Sequence, residues 1–531
     1  RMIIDTENIQ TRLSAFPLPP GRYTQLLATD KKLFVLNKSS SGTHKDPQGK
    51  LSAYDFKEQT FETFVEDISS ASLSPDRKWL LYYYDHKLRA VETCSKPNDH
   101  DDSYKKGGYI NLKRCNISIE PEEEWRFIFT EAWRLQQDYY WDKNMGGIDW
   151  DAIYEKYRPL AEKVGSRTEL NAIISEMQGE LGCSHAYTWG GNLPKTKIYT
   201  QGHLGCETTY HAKNKHYTIT KILESENSAH LYSSPLKSLG ANVEEGDAII
   251  SINNQKLSKE LTPEMLLVNQ ANCYVTIGIQ PKNLKDTVRF IEIKTLATQQ
   301  PLLYRNWVEK NRRYIEKKTK GRLGYIHIPD MGQEGIAEFT RSFLQSYDCD
   351  GLIIDVRFNG GGHTSSLILQ KLAIKRFGLD FTRWHGASFS YPHAAPNGAM
   401  VAICNEQTGS DGDMFCYAFK QLQLGKLIGR RTWGGVVGIS VRNNLLDGGV
   451  TTQPEYAVWF DEAGYNIENR GVEPDEEINT FPENHDQNNE LDRAIEIALE
   501  GLDKQSPLLQ ERAQRARKPS RKPKKLPKKH Q

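Results

Sequence analysis

At 531 residues the chain is too long to close around one hydrophobic core, and three or four domains are expected. Its 38% hydrophobic and 26% charged residues are ordinary for a soluble globular protein. No apolar run approaches a membrane span, and the first residues lack the charged-then-apolar pattern of a secretory signal. The net charge of +1 conceals an asymmetry: residues 511–531 hold ten Lys or Arg against one Glu, a contribution of +9 that leaves −8 for the rest. Residues 506–531 therefore read as a basic disordered tail, a solvated terminus or a strap onto a partner subunit in preference to a nucleic-acid arm. Neither nucleic acid nor membrane is expected as a partner. The eight cysteines (94, 115, 183, 206, 273, 349, 404 and 416) show no metal-ligand spacing. Several lie in apolar runs, as reduced core cysteines do, which predicts a cytoplasmic protein without metal or cofactor. The first residue is Arg1, which suggests a fragment.

In chain order, residues 1–115 read as β structure. Residues 32–36 and 50–55 are short strands, and Ser74-Pro75-Asp76-Arg77 followed by Trp79-Leu80-Leu81-Tyr82-Tyr83 has the turn-then-strand grammar of a propeller blade. It resembles the Ser-Pro-Asp-Gly repeats of β-propellers, with Arg77 in the glycine's place. About one hundred residues make roughly two blades, a partial propeller. Residues 96–106 are a polar linker. Residues 116–196 are a helical subdomain: Trp125, Ile128, Phe129, Ala132, Leu135 and Tyr139 follow helical spacing behind Pro121 and three glutamates, and further helices are expected near 150–157 and 168–181. The aromatic residues Trp125, Trp133, Tyr139, Tyr140 and Trp141 read as core. Residues 197–297 alternate in β fashion around a helix-like stretch at 234–239. Ser234-Pro235-Leu236, Gly240 and the run from Val243 to Gln255 resemble a PDZ domain. Gly202-His203-Leu204-Gly205 then falls on that family's carboxylate-binding loop, where successive amides can receive a peptide terminus; the plainer reading is a rigid spacer. Residues 298–505 alternate strands with helices and close with an amphipathic helix at 490–502, an α/β sheet.

The chemistry concentrates in that last region. The apolar run Met400-Val401-Ala402-Ile403-Cys404 leads through Asn405-Glu406-Gln407-Thr408-Gly409-Ser410-Asp411-Gly412-Asp413 into a helical pattern. A serine between glycines at a helix entrance has an exposed hydroxyl near backbone N–H groups, which suits a nucleophile whose attack creates an oxyanion. The plainer reading is an N-cap serine among turn glycines. Three further motifs tip the balance: Gly182-Cys183-Ser184-His185 after a helix, the strand Gly351-Leu352-Ile353-Ile354-Asp355 running into Asn359-Gly360-Gly361-Gly362, and Tyr465-Asn466-Ile467-Glu468-Asn469. A nucleophile, an imidazole, a carboxylate and a glycine-rich loop are the parts of a serine hydrolase. His363, beside the glycine loop, is a rival base to His185.

Taken together, these motifs closely resemble the tricorn-type serine peptidases over residues 117–505, and the likeness extends to Trp307-Val308-Glu309 and to Gly324-Tyr325-Ile326-His327. The resemblance implies a multidomain fold: a β-propeller remnant, a helical domain, a PDZ-like β domain and an α/β, crotonase-like catalytic domain. It implies Ser410 as nucleophile, His185 as base, and Ser184 with Glu468 as the orienting members of a tetrad, the Ser184 hydroxyl connecting carboxylate and ring. The backbone amides of Gly362 and Asp411 would hold the oxyanion. Gly360, Gly361 and Gly362 would bind substrate, as would Val436, Val437 and Gly438, the strand that receives its backbone. Asp380, offered by a neighbouring subunit, would set a preference for a basic residue at the cleaved bond. The family implies a homo-oligomer, a hexamer, trimming short unfolded peptides released by larger proteases. Two alternatives remain. A carboxyl-terminal processing protease would need a lysine about 25 residues past the serine, where this chain has Trp433-Gly434-Gly435-Val436 and Lys426 comes too early. A non-catalytic propeller and PDZ scaffold would bind peptide without turnover.

Overall fold

The computed structural model describes residues 5–12, 16–38, 49–84, 87–94, 96, 107–194, 196–223, 233–283, 287–381, 388–478 and 488–503. The basic tail lies outside the described residues. The chain divides into two units, Arg1–Glu120 and Pro121–Gln531.

The first unit is a single antiparallel sheet of β1 (Tyr23–Ala28), β2 (Lys32–Lys38), β3 (Gly49–Asp55), β4 (Thr60–Leu73), β5 (Trp79–Tyr84), β6 (Lys87–Glu92) and β7 (Tyr109–Ile110), hydrogen-bonded in chain order. Roughly two blades were expected; the seven strands form one sheet in which both halves use β4. Its 14 residues pair with β3 up to Ile68 and with β5 from Ile68 onward, with bulges where the partners change. The propeller-like turn is closed by Ser74, whose hydroxyl donates to Asp76 and accepts the Trp79 N–H at 3.0 Å. Arg77 takes the glycine's left-handed conformation at φ 57°.

In the second unit the expected helices form as α1 (Pro121–Tyr139), α2 (Trp150–Ala161) and α3 (Arg167–Gly179). Asp149 and Ser166 cap the last two by accepting N–H groups three residues ahead. Ile128, Phe129, Ala132 and Leu135 of α1 meet Leu170 and Ile174 of α3 in one core, with Trp125, Trp133 and Tyr140 packed against it. Tyr139 departs from the expected core role: it ends α1 with 40% of its surface exposed. After β8 (Thr188–Trp189) comes the PDZ-like domain. It comprises β9 (Cys206–His211), β10 (His216–Ile222), β11 (Ala248–Ile252), β12 (Gln255–Lys256), α4 (Pro263–Leu266), β13 (Tyr274–Gln280) and β14 (Arg289–Lys294), in sheet order β14-β13-β11-β10-β9 with β12 on β11. Two amides of its supposed carboxylate loop are already taken: Gly202 N–H donates to Leu267 O and His203 N–H to Leu296 O, both at 2.9 Å.

The catalytic-type domain starts with α5 (Gln300–Thr319), β15 (Leu323–His327), α6 (Gln333–Ser346), β16 (Gly351–Asp355), α7 (Ser365–Leu372) and the hairpin of β17 (Gly378–Phe381) and β18 (Ser388–Tyr391). It continues with β19 (Met400–Cys404), α8 (Asp411–Gln421), β20 (Gly425–Gly429), β21 (Gly438–Ser440), β22 (Val450–Thr451), β23 (Gln453–Tyr456), β24 (Glu476–Glu477) and α9 (Asn489–Asp503). A parallel sheet in order β15-β16-β19-β20-β24 is covered on both faces. Ile326, Ile354, Ala402 and Leu427 point to Phe343, Ile368 and Phe415 of α6, α7 and α8. Their neighbours Tyr325, Ile353, Val401 and Ile428 point to Ile315 of α5 and Ala494 of α9. Burial on both faces is why the strands are apolar without alternation. The segments leaving the carboxyl ends of β15, β16 and β19 therefore converge at one edge, where such sheets place their sites.

Candidate active site

Ser410 sits where β19 turns into α8, at φ 56° and ψ −122°. A residue other than glycine holds such a conformation at a cost on the order of 1–3 kcal/mol, and only where its surroundings enforce it. The enforcement is visible. Gly409 N–H donates to Asn359 O at 2.9 Å, and Thr408 Oγ1 donates to Val356 O at 2.8 Å. Trp433 N–H donates to Thr408 O at 2.9 Å. The Ser410 hydroxyl is not spent on capping α8, so the helix-cap reading leaves its orientation unexplained.

The glycine loop lies alongside. A Cβ on Gly361 would come within 2.5 Å of Ser410 Cβ. Gly362, at φ 151°, leaves no room either: a Cβ there would lie 2.0 Å from Met331 O. The loop is held by Asn359, wholly buried, which accepts the Gly361 N–H at 2.9 Å and donates to Ile328 O at 2.8 Å. Among the described residues the N–H groups of Gly362 and Asp411, both in the cavity lining beside Ser410, make no hydrogen bond to protein. The Asp411 carboxylate is turned away and receives the Ser365 N–H at 2.9 Å and the Ser365 hydroxyl.

His185, Ser410 and Gly362 line one cavity of about 380 Å³ with His363, Ser365, Val436, Val437, Gly438 and Tyr456. His185 Nδ1 lies 2.9 Å from Ser184 Oγ, and its ring is edge-on to Trp433 at 5.2 Å. Burial holds the imidazole below its ordinary 6.5, with the Glu468 charge pulling partly back. The histidine loop is tied to β22 and β23: Thr452 Oγ1 accepts the Tyr187 N–H at 2.8 Å and donates to His185 O, while β8 pairs with β22.

Glu468 reaches the same loop by a route that differs from the expectation. Its Oε1 accepts the Ser184 backbone N–H at 2.7 Å rather than the Ser184 hydroxyl, and Oε2 accepts the N–H groups of Val436 and Val437 at 2.7 and 3.0 Å. The two valines line the cavity, but those amides are occupied and cannot donate to an added substrate strand. Gly438 opens β21, paired with β23. Gly360 sits in the loop beside them, with open space at its Cα. Asp380 lies elsewhere, exposed on β17 opposite Phe389, and does not line this cavity. Among the described residues no lysine lines it; Lys426 is on β20.

Three residues with structural influence here had been given no role. Asn359 and Asp413 lie inside the glycine and serine motifs, and that was their only signal. Asp413 is wholly buried on α8, accepts the Thr432 hydroxyl, and accepts the Gly434 and Gly435 N–H groups at 2.9 and 3.2 Å; burial raises its carboxyl above the usual range. Thr452 had no local signal.

Comparison with known proteins finds three family matches along the chain. Residues 322–478 match the model of Peptidase family S41, residues 121–179 the Tricorn protease C1 domain, and residues 202–298 the Tricorn protease PDZ domain. The tricorn protease homolog of Saccharolobus solfataricus is 39% identical over 502 residues, covering 93% of this chain and 46% of that protein. The tricorn protease of Thermoplasma volcanium is 39% identical over 471 residues, 88% of this chain and 44% of its own length. The crystal structure of the tricorn protease superposes with a TM-score of 0.86 at 34% identity, covering 93% of this chain and 48% of that one. The chain thus spans about half the length of these relatives. Three family models matched in succession, and a superposition covering 93% of the chain, make it similar to the tricorn proteases and, over residues 322–478, to peptidase family S41.

Proposed function

We propose that the protein is a serine endopeptidase that cuts short unfolded peptides, with Ser410 as nucleophile and His185 as general base. The observation that carries this reading is the strained, uncapped Ser410 in one cavity with His185 and the unpaired amide of Gly362. Nδ1–H of His185 donates to Ser184 Oγ, leaving Nε2 to take the Ser410 proton as the hydroxyl attacks the peptide carbonyl. The amides of Gly362 and Asp411 receive the developing oxyanion; one such donor is typically worth about 3 kcal/mol of transition-state stabilisation. His185 then passes the proton to the leaving amine, and water repeats the sequence on the acyl-enzyme. Glu468 steadies the imidazolium through the Ser184 amide and by its charge.

A basic residue at the cleaved bond follows from Asp380 serving the site of a neighbouring copy in a homo-oligomer, since a carboxylate selects Lys or Arg by charge-assisted hydrogen bonds. Its exposed position outside its own cavity fits that role. The test is labelling with a serine-reactive fluorophosphonate followed by peptide mass spectrometry on the parent and His185→Ala. An adduct on Ser410 that disappears with His185 is expected. No adduct on folded, oligomeric protein would leave a peptide-binding scaffold as the reading.

A further inference from the structure

A second cavity, of about 220 Å³, backs onto the one that holds Ser410. The two share Val436, Val437 and Val458 as a common wall. The wall is stiff, because Glu468 holds the N–H groups of both Val436 and Val437. Tyr140, Trp141 and Tyr465 also line this second cavity. The backbone N–H of Trp141 is fixed to Pro454 O at 2.8 Å, and its ring lies 5.2 Å from that of Tyr465. Tyr465 nevertheless leaves 49% of its surface to solvent. The acylation chemistry uses none of these rings, yet the cavity they line shares a wall with the one that Ser410 lines.

The geometry points to this cleft as a substrate subsite that takes one apolar side chain, aromatic or branched aliphatic, from a residue flanking the cleaved bond. The inference rests on the peptidase reading above. The volume is below the roughly 300–1,000 Å³ that encloses a whole small ligand, so the fitting occupant is a single side chain. Charge argues in the same direction. Glu468, the only carboxylate among the described residues of the lining, already has one oxygen on the Ser184 amide and the other on the two valine amides. Burial pushes the Tyr140 hydroxyl and the Cys183 thiol each up to about 12, so both are neutral near pH 7. A Lys or Arg would have to compete with three amides for Glu468 and would draw it from the histidine loop. An acidic side chain would meet it head-on. A peptide with its carbonyl at Ser410 and its backbone over the valine wall can place one side chain in each cavity, so this selectivity falls at a different residue from any preference set by Asp380.

The test uses otherwise identical peptides in which one flanking position at a time is Gly, Leu, Phe, Lys or Asp, with kcat/KM and the cut site read by mass spectrometry. One position should favour Phe or Leu over Gly by roughly tenfold to hundredfold, the range a single apolar pocket supplies. In Trp141→Ala and Tyr465→Ala that ratio should fall towards one. The ratio is internal to each preparation, so a partly misfolded variant cannot mimic the result. A Ser410 adduct in the parent with no discriminating position would overturn the subsite alone, as would a preference for Lys or Asp there, or a ratio that survives both substitutions. No cleavage and no adduct would sink the peptidase reading and the subsite with it.

Discussion

Glu468 is one step further from the imidazole than the carboxylate of a direct acid–histidine pair: it holds the Ser184 backbone while the Ser184 hydroxyl meets the ring. The ring's tautomer is therefore not set by Glu468 contact, and losing the charge should cost less than the roughly 10⁴-fold seen when a directly bonded aspartate becomes an amide. For Glu468→Gln we expect a fall in kcat on the order of 10²-fold with KM little changed. An effect as large as that of Ser410→Ala would show that the carboxylate touches the ring during turnover. The new amide would also set an NH₂ against the Ser184 amide or the valine amides, a mispairing worth about 1–3 kcal/mol of stability. Gly362→Ala makes a sharper prediction, since its Cβ would sit 2.0 Å from Met331 O. Fluorophosphonate labelling should be nearly lost and Tm should fall with it, because the clash is with backbone and the loop must shift to relieve it. Ser410 and the glycine loop were legible because a strand–turn–helix element fixes its own residues locally. Asn359 and Asp413 were not, because each also depends on a group brought from far along the chain, 31 and 19 residues away.

At the level of elements, the helices of residues 121–179 were legible because a 3.6-residue period and first-turn glutamates describe an element without its neighbours. The shared strand β4 was not legible: which strands pair is decided by closure of the sheet, and its 14 residues read equally well as two short strands. The joining of the histidine loop to the α/β domain was equally invisible, since Thr452 meets Tyr187 across 265 residues. That joint is open to test. The Thr452 hydroxyl accepts from Tyr187 and donates to His185 O; Thr452→Val keeps the shape and leaves two part-buried groups without this partner. The expected cost is about 1–3 kcal/mol per group, expressed locally: kcat should fall, and amide exchange at residues 185–187 should rise while the core strands β15, β16 and β19 keep their protection. Uniform protection with unchanged turnover would show that β8–β22 pairing alone fixes the loop.

Across the whole molecule, the shifted histidines set a pH window for stability. Burial lowers His185, His216 and His327; the Glu468 charge opposes it at His185, a neighbouring His211 reinforces it at His216, and the Asp355 charge opposes it at His327. His327 is the clearest case: Nε2–H donates to Arg357 O at 3.0 Å, leaving Nδ1 to accept from the Tyr304 hydroxyl at 2.9 Å, with Trp307 edge-on at 4.8 Å. A folded value below the ordinary 6.5 means that, as pH falls, the unfolded chain takes up these protons first. Stability is therefore intact above about pH 6.5 and declines below it. Each proton contributes at most about 1.4 kcal/mol per pH unit. The lowered carboxylates Glu338, Asp355 and Asp447 act later, as pH drops through the ordinary carboxylate range and below. Between roughly pH 6.5 and 5 the loss thus comes from the histidines, while Asp413, whose carboxyl burial raises, works against it. The Tm of the second unit should fall over that interval, and His327→Gln, which cannot ionise, should flatten the fall while lowering Tm at pH 7.5. A Tm that is level from pH 7 to 5 in the parent would mean that these imidazoles are as accessible to protons in the folded chain as in the unfolded one. The acid limb of kcat/KM should lie below 6.5 for the same reason, because the proposed mechanism requires a neutral His185 to accept the Ser410 proton.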